Sequence, residues 1–258
     1  MVNYPLAASQ QQEDFKEIFS QLEYEVRTHQ LVFPDQEVCG LIYKSSIVSD
    51  GVLYLPVSNI HSDPNNNFLI DHNQYEEIKK EWGTPIAISH THPKQDYAAP
   101  SDKDVASCTV LGIPFVVWGR KDFTIVNPKP YDSSVYEGRH FVHGVIDCYT
   151  IIRDWYKNEL KINLPNFVRH DGWWDKGGNM YIDHFEECGF RRIDLSKAKK
   201  HDLILMSIRA PVPNHGAIYL GDMKILHHLP TRLSKVDIYG GYWQRNTSMV
   251  IRHKCLEE

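Results

Sequence analysis

Residues 127–144 interrupt the hydrophobic patterning of this 258-residue chain and divide it into two parts. The stretch holds two prolines, two serines, two glycines and few aliphatic side chains, a composition typical of a linker. The chain is also longer than one hydrophobic core usually requires, about 100–200 residues. The sequence therefore predicts two domains, residues 1–128 and 141–258, joined by a linker at 129–140.

Composition narrows the function classes. Hydrophobic residues make up 42% of the chain and charged residues 24%, which is ordinary for a globular protein. The net charge of −5 at pH 7 shows no excess of basic residues of the kind that binds nucleic acid, so we expect no nucleic-acid partner. No apolar run reaches the length of a membrane-spanning segment and the first residues do not resemble a signal peptide, so we expect synthesis and folding in a cytosol. The five cysteines are odd in number and not closely paired, which predicts free thiols.

The first part is predicted to alternate helix and strand. Apolar residues at three- and four-residue intervals predict an amphipathic helix over residues 11–28. Strands are predicted at residues 38–42, 52–57, 85–89, 113–118 and 123–126. The strand at 85–89 runs directly into His90, and Ser101 is well placed to cap a helix that carries Asp104 on its first turn.

The motif His90-Thr91-His92 predicts a metal site at the end of that strand. In an extended chain the two imidazoles project to the same face and can reach one ion. Asp104 supplies a third ligand, with Asp102 as the alternative, and two imidazoles with one carboxylate are the donors of a hydrolytic zinc site. Glu37 is then available as general acid–base, and Ser101 as a hydrogen-bond donor to the developing oxyanion.

In order along the chain, Glu37, His90-x-His92-Pro93 and Ser101-x-x-Asp104 resemble the pattern of the JAMM/MPN metallopeptidases over residues 10–126. The resemblance implies an N-terminal α/β domain in which zinc is bound by His90, His92 and Asp104. It also implies acid–base chemistry at Glu37 and oxyanion binding at Ser101. Removal of ubiquitin-like modifiers is a further possibility, although fold-level analogy is a poor guide to substrate.

The second part is predicted to be one helix followed by an antiparallel sheet. Apolar residues recur at helical spacing after Cys148, which places this cysteine at a helix start. Strands are predicted at residues 203–208, 215–220 and 224–229, with a turn at Gly221-Asp222. A helix start and a nearby histidine, His215, are expected to lower the pKa of the Cys148 thiol. His227 would orient His215; its neighbour His228 is the alternative but points to the other strand face.

Asp147-Cys148-Tyr149, the strand from His215 to Gly221, and His227 resemble the NlpC family of cell-wall peptidases over residues 140–254. The resemblance implies a papain-like α+β domain with Cys148 as nucleophile, His215 as base and His227 as third polar member. The chain departs from the usual pattern at Tyr149, where serine is common, and at His201-Asp202, where glycine–aspartate is usual.

The order of these two domains, the segment 136–139 before the cysteine and the ending 239–243 together resemble tail-tip proteins of lambda-type bacteriophages. This resemblance implies a place in the virion tail tip, other phage tail tip proteins as partners, and the peptidoglycan peptide as substrate. The leading hypothesis is a dual hydrolase with a zinc site and a cysteine site. The alternative is a structural tail-tip assembly factor whose hydrolase folds act as binding modules.

Overall fold

The computed structural model describes residues 16–45 and 51–256. The chain forms two compact units, and the boundary between them lies between Tyr131 and Asp132, inside the predicted linker.

Residues after this boundary pack on the second unit. Arg139 is buried, and its guanidinium lies 2.6 Å from the carboxylate of Asp154 on the first helix of that unit. The backbone amide of Gly138 donates to the carbonyl of Ser234, and the amide of Ser234 donates to the carbonyl of Arg139. These bonds make the later part of the predicted linker an ordered segment of the second unit.

In the described residues, the first unit contains a five-stranded mixed sheet and three helices in addition to the helical residues 16–20. The strands are β1 (Cys39–Lys44), β2 (Val52–Val57), β3 (Ala87–Thr91), β4 (Phe115–Trp118) and β5 (Phe123–Val126). The helices are α1 (Glu23–Val32), α2 (His72–Trp82) and α3 (Asp102–Leu111). The sheet order is β2-β1-β3-β4-β5, and β3 pairs with β4 in parallel while the other pairs are antiparallel. Because parallel neighbours need a crossover connection, α3 joins β3 to β4.

Both faces of this sheet are covered, because side chains alternate along each strand. Leu41 of β1 belongs to a core cluster that includes Cys108 of α3 and Ile78 of α2. Its neighbour Ile42 belongs to a second cluster that includes Val26 of α1. The first unit is therefore a three-layer α/β/α arrangement, and β1 and β3 lie at its centre.

The helix predicted over residues 11–28 differs from the structure. Residues 11–15 lie outside the described residues. Residues 16–20 are helical, a turn follows at 21–22, and α1 then continues to Val32, four residues beyond the predicted end. Phe19, Leu22 and Val26 are buried, so the apolar spacing identified the inward-facing side chains although the segment is not one continuous helix.

The second unit contains a six-stranded antiparallel sheet. Its strands are β6 (Phe190–Ile193), β7 (Leu203–Met206), β8 (His215–Gly221), β9 (Lys224–His227), β10 (Lys235–Ile238) and β11 (Thr247–His253), in the order β10-β9-β8-β7-β11-β6. Its helices are α4 (Cys148–Leu160), α5 (Met180–His184) and α6 (Tyr242–Arg245). Short 3₁₀ turns occur at Trp173–Asp175, Leu195–Lys197 and Lys254–Leu256.

Helix α4 packs on one face of this sheet. Ile151, Ile152 and Tyr156 of α4 form a core cluster with alternate residues of the central strands, including Leu205 and Ile218. The intervening residues, such as Ile204 and Ala217, form a separate cluster on the opposite face. The arrangement of one main helix on an antiparallel sheet is the one the sequence predicted.

The β8–β9 turn lies one residue later than predicted. Gly221 ends β8, and Asp222 and Met223 form the turn, with φ angles of 48° and 55°. Two consecutive left-handed residues match the twist of the flanking strands, which favours such a two-residue hairpin turn. Gly221 also has a positive φ, 85°, a backbone conformation that favours glycine, so the turn-forming dipeptide Gly221-Asp222 spans the end of β8 and the first turn residue.

Two expectations about the whole chain can be compared with the described residues. Among the helices in residues 16–45 and 51–256, none combines the length and the apolar character needed to cross a bilayer. All five cysteines are free thiols, as predicted, and Cys39 and Cys108 are buried in the first unit.

Candidate functional site

The side chains of His90, His92 and Asp104 converge at the end of the central strand β3. His90 lies in β3 and His92 directly follows it, while Asp104 projects from the first turn of α3. All three are buried, and each offers one ligand atom within 4.8 Å of the others. Asp102, the alternative ligand, is exposed and does not belong to this group.

The distances within this group fit a tetrahedral ion. Nε2 of His90 lies 3.2 Å from Nε2 of His92 and 3.1 Å from Oδ1 of Asp104. Nε2 of His92 lies 3.5 Å from Oδ2 of Asp104. Ligand atoms that surround zinc tetrahedrally at about 2.0–2.1 Å are about 3.3 Å apart. Both the donor set and its spacing therefore fit zinc.

Glu37 is held at the margin of this group by the residue between the two histidines. The backbone amide of Val38 donates to the hydroxyl oxygen of Thr91 at 3.0 Å. The amide of Thr91 in turn donates to the carbonyl of Val38, also at 3.0 Å. Oε1 of Glu37 consequently lies 3.8 Å from Nε2 of His92. Glu37 also lines a surface groove with Phe33 and other residues, which gives its carboxylate a route to solvent.

Burial raises the pKa of Glu37 to about 7, although the nearby His92 opposes the shift. The negative charge of Asp104 reinforces the rise. A carboxyl group that titrates near neutral pH can both accept and return a proton, which is the requirement for a general acid–base.

Ser101 and Asp104 form a capping box at the start of α3. The hydroxyl oxygen of Ser101 accepts from the amide of Asp104 at 3.2 Å, and the amide of Ser101 donates to Oδ2 of Asp104 at 2.6 Å. The structure thus places Ser101 as the residue that orients Asp104. Its hydroxyl proton is not used by this bond, so the predicted donor role is chemically compatible with capping.

Sequence reasoning missed two residues that position the histidines. Thr91 was treated as the spacer of the His-x-His motif, yet its bonds to Val38 fix Glu37. Phe68 stacks on His90 with ring centroids 4.3 Å apart. The Nδ1 atoms of His90 and His92 are buried and have no hydrogen-bond partner in the described part of the chain, so the contacts of these rings with Asp104 are made through Nε2.

In the second unit, Asp147 caps the helix that begins with Cys148. Its Oδ1 accepts from the amides of Tyr149 at 3.1 Å and Thr150 at 3.0 Å. Its Oδ2 accepts from the amide of Gly144 and lies 2.6 Å from Nε of Arg169. The Asp147 and Arg169 side chains are only 2% and 3% exposed, so this is a buried, hydrogen-bonded ion pair.

Cys148 is half-buried at the helix start. Its Sγ lies 3.6 Å from the hydroxyl of Tyr181, and the backbone amide of Gly216 on β8 also interacts with the thiol. His215 directly precedes Gly216, so α4 and β8 bring the nucleophile and base predicted from the sequence to neighbouring positions.

The expected fall in the pKa of Cys148 is wrong. Burial raises the pKa of the thiol to about 11, and the negative charge of Asp147 adds to the rise. Burial also lowers the pKa of His215 well below its usual value. The helix start is present, but burial outweighs its effect, and burial favours the neutral forms of both side chains.

His215 begins a hydrogen-bonded series of side chains. Its Nε2 lies 2.9 Å from Nδ1 of His227, whose Nε2 lies 3.0 Å from Oδ2 of Asp237 on β10. Arg232 contacts both His227 and Asp237. Trp243 packs edge-on against the His227 ring, with centroids 4.6 Å apart.

The alternative His228 is not part of this series. Its ring is buried and packs edge-on against Phe141, and the backbone of Arg139 interacts with it. Sequence reasoning missed Arg169, Tyr181, Arg232 and Asp237, because none lies within a local motif. The periodicity of a strand at 235–238 would have been the available signal for Asp237.

Comparison with known proteins identifies the second unit. The model of the NlpC/P60 family matches residues 136–252. This match confirms the predicted α+β domain of that type. The Mycobacterium tuberculosis peptidoglycan hydrolase RipB is one solved structure that the chain resembles weakly, at 18% identity over 43% of this chain and 46% of that chain, with a TM-score of 0.31.

Two phage proteins are more similar to this chain in sequence than that solved structure is. Tail tip assembly protein K of Escherichia phage N15 is 32% identical over 223 residues, which cover 85% of this chain and 88% of that protein. Tail tip assembly protein K of Escherichia phage lambda is 46% identical over 118 residues, which cover 46% of this chain and 59% of that protein.

Proposed function

Because this chain belongs to the family of tail tip assembly protein K, we propose that it acts at a phage tail tip as a peptidase. Its NlpC/P60 unit would cleave an amide bond of the peptidoglycan peptide, with Cys148 as nucleophile. Other tail tip proteins are the proposed partners, since assembly of the tip is what the relatives are named for.

The observation that carries this proposal is the position of Cys148 relative to His215. Cys148 begins α4, and His215 precedes the glycine whose amide interacts with the thiol. The hydrogen bond to His227 occupies Nε2 of His215, so Nδ1 is the nitrogen that would take the thiol proton. A nucleophile, a base and a group that orients the base are the parts that nucleophilic catalysis requires.

The reaction proceeds in two steps. As sulfur bonds to the carbonyl carbon, the thiol proton passes to His215, which then gives it to the departing amine as the carbon–nitrogen bond breaks. Water next adds to the thioester, His215 takes one of its protons, and the thiolate leaves to be protonated again. Because burial raises the pKa of the thiol, its proton would pass to His215 during the attack.

We further propose that the first unit is a JAMM-type zinc hydrolase, in which His90, His92 and Asp104 hold the metal. This is supported by the fit of their spacing to a tetrahedral ion. Zinc, when bound, acts as a Lewis acid that lowers the pKa of water, so that hydroxide is available to attack an amide near neutral pH. Glu37 would take the proton of the attacking water and return it to the leaving amine, and Ser101 would donate a hydrogen bond to the oxyanion.

The cysteine activity is tested by digesting purified peptidoglycan with the full chain under reducing conditions and identifying the fragments by mass spectrometry. Wild type is expected to release peptide fragments, Cys148→Ala to release none, and His92→Ala to behave as wild type. The last variant is a matched control because it removes a side chain from the other proposed site. Equal release by wild type and Cys148→Ala would refute the assignment.

Absence of release by wild type would favour the second candidate, a structural assembly factor whose folds act as binding modules. The observation that favours this second function is the raised pKa of Cys148, because a protonated thiol is a poor nucleophile. Infection by phage that carry Cys148→Ala separates the two: an assembly role needs no thiol, whereas cleavage of the peptidoglycan peptide does.

A further inference from the structure

Asp237 reaches His227 across two adjacent strands. In the antiparallel pairing of β9 and β10, His227 lies opposite Lys235, so Asp237 is its diagonal neighbour. Diagonal pairs are about 7–8 Å apart at the backbone and remain within reach of long or ring-bearing side chains. The resulting Nε2 to Oδ2 distance is 3.0 Å, and the His227 side chain is fully buried.

This contact determines where the protons lie in both imidazoles. An ionised carboxylate only accepts hydrogen bonds, so a bond from Nε2 of His227 to Asp237 requires the proton to be on Nε2. A neutral His227 then has a bare Nδ1, which accepts from Nε2 of His215. The Nδ1 of His215 is bare in turn and can accept a proton.

Arg232 favours the opposite arrangement. Its guanidinium only donates, and one of its nitrogens lies 2.8 Å from Nε2 of His227. A bond from Arg232 to that nitrogen would move the proton of His227 to Nδ1, and His215 would then carry its proton on the Nδ1 that should act as base.

The surroundings favour Asp237 in this competition. Arg232 also contacts Asp237, has other donors and is 31% exposed, so it can bond to the carboxylate and to water without using His227. The Nε2 of His227 is buried and cannot bond to water in the same way. Lys235 lies 2.8 Å from the other carboxylate oxygen, and together the two cations keep Asp237 ionised.

We propose that Asp237 is a positioning residue of the cysteine site, which selects the imidazole tautomers that make Nδ1 of His215 a base. The inference rests on the proposed function, because it concerns the same thiol. The charged and titratable groups that face His227 are His215, Asp237 and Arg232, while Lys235 acts on it through Asp237. His228 adds a weaker electrostatic effect on His215.

The direct test is long-range proton–nitrogen NMR of the uniformly ¹⁵N-labelled full chain, which reports the protonated nitrogen of each ring. We expect His227 and His215 both to carry their protons on Nε2. A proton on Nδ1 of His215 in the wild-type protein would overturn the proposal, and this measurement does not depend on any variant being able to fold.

The second test is the rate at which iodoacetamide alkylates Cys148 at pH 7, followed by peptide mass mapping. In serine-protease triads, an aspartate-to-asparagine exchange selects the wrong tautomer and lowers turnover by about 10⁴. We expect Asp237→Asn to slow alkylation by about tenfold or more, equivalent to at least one pKa unit of lost activation. An unchanged rate would overturn the proposal.

The matched control is Asp222→Asn, the same chemical change at the exposed β8–β9 turn, where the positive φ of 48° suits asparagine. It is expected to leave the rate at the wild-type value. Neither test needs a peptidase substrate. If peptidoglycan is not cleaved but tautomers and rates are as expected, only the proposed substrate fails; if cleavage occurs with unaltered Asp237→Asn kinetics, only this inference fails.

Discussion

The guanidinium of Arg169 and the carboxylate of Asp147 form a buried ion pair, 2.6 Å apart, at the start of the helix that carries Cys148. Arg169 also donates to the carbonyls of Gly144 and Phe167, so both charges are bonded on several sides. This pair therefore fixes the direction in which α4 begins.

Loss of Arg169 should destabilise the second unit. Arg169→Met would leave the Asp147 charge buried without its partner, and removing one member of such a pair costs about 3–5 kcal/mol. Peptide-resolved hydrogen exchange should show the loss in α4. Arg192→Met, at an exposed position of β6, is the matched control, and equal effects of the two substitutions would argue against a special role for the pair.

The alkylation rate of Cys148 should keep rising with pH beyond neutrality. Because its pKa is raised to about 11, the thiol is protonated below that value and its reactive thiolate increases with every step in pH. At pH 8, a thiol of this pKa is ionised to about 0.1%. Iodoacetamide labelling between pH 7 and 9.5 should rise about tenfold per unit. Exposed Cys255 is the internal reference, and a plateau for Cys148 within this range would indicate a thiolate instead.

The first unit should bind one zinc ion, because two imidazoles and a carboxylate converge there. Native mass spectrometry is expected to show the ion on wild type and its loss in His90→Ala and Asp104→Asn. Zinc at one hundred times its dissociation constant should stabilise the unit by about 2.7 kcal/mol. His72→Ala replaces an exposed histidine at the start of α2 and should retain the ion; loss of zinc in this control would place the metal elsewhere.

Gly216→Ala should disturb the cysteine site through packing. A Cβ at this position would lie 2.7 Å from Cδ1 of Ile152 and 2.9 Å from the hydroxyl of Tyr181, the group beside the Cys148 thiol. Overpacking of a core costs about 1–3 kcal/mol, so thermal unfolding should occur at lower temperature and peptide release should fall. Gly240→Ala meets no atom within 4 Å and should behave as wild type. Indistinguishable variants would mean that α4 can move away without cost.

Local patterns predicted a large part of the architecture. The strands at 52–57 and 123–126 match β2 and β5 to the residue, because alternating or compact apolar runs were bounded by polar residues. Ser101 was expected to cap a helix and does so, since a serine before that turn satisfies the free backbone amides.

Other features depend on contacts that no local pattern encodes. Helix α2 was not predicted, although Tyr75 and Ile78 recur at helical spacing and pack against the core. Its residues are mostly polar and none is fully buried, so its sequence lacks an obvious apolar run. The pairing of Asp147 with Arg169 and of His227 with Asp237 joins residues on different elements. The pKa of Cys148 was expected to fall because the helix start can be read from sequence, whereas the burial that raises it cannot.

Asp104 makes two kinds of contact with the same carboxylate, one within the capping box of α3 and one with the two histidines. Its carboxylate closes the first turn of the helix through Ser101 while it faces His90 and His92. The donor is thus aimed by the backbone of the helix, and formation of that turn and orientation of the ligand are a single event during folding. If the first unit binds zinc as proposed, the ion would meet a carboxylate that the helix already orients, and we expect it to load and exchange without refolding of the chain.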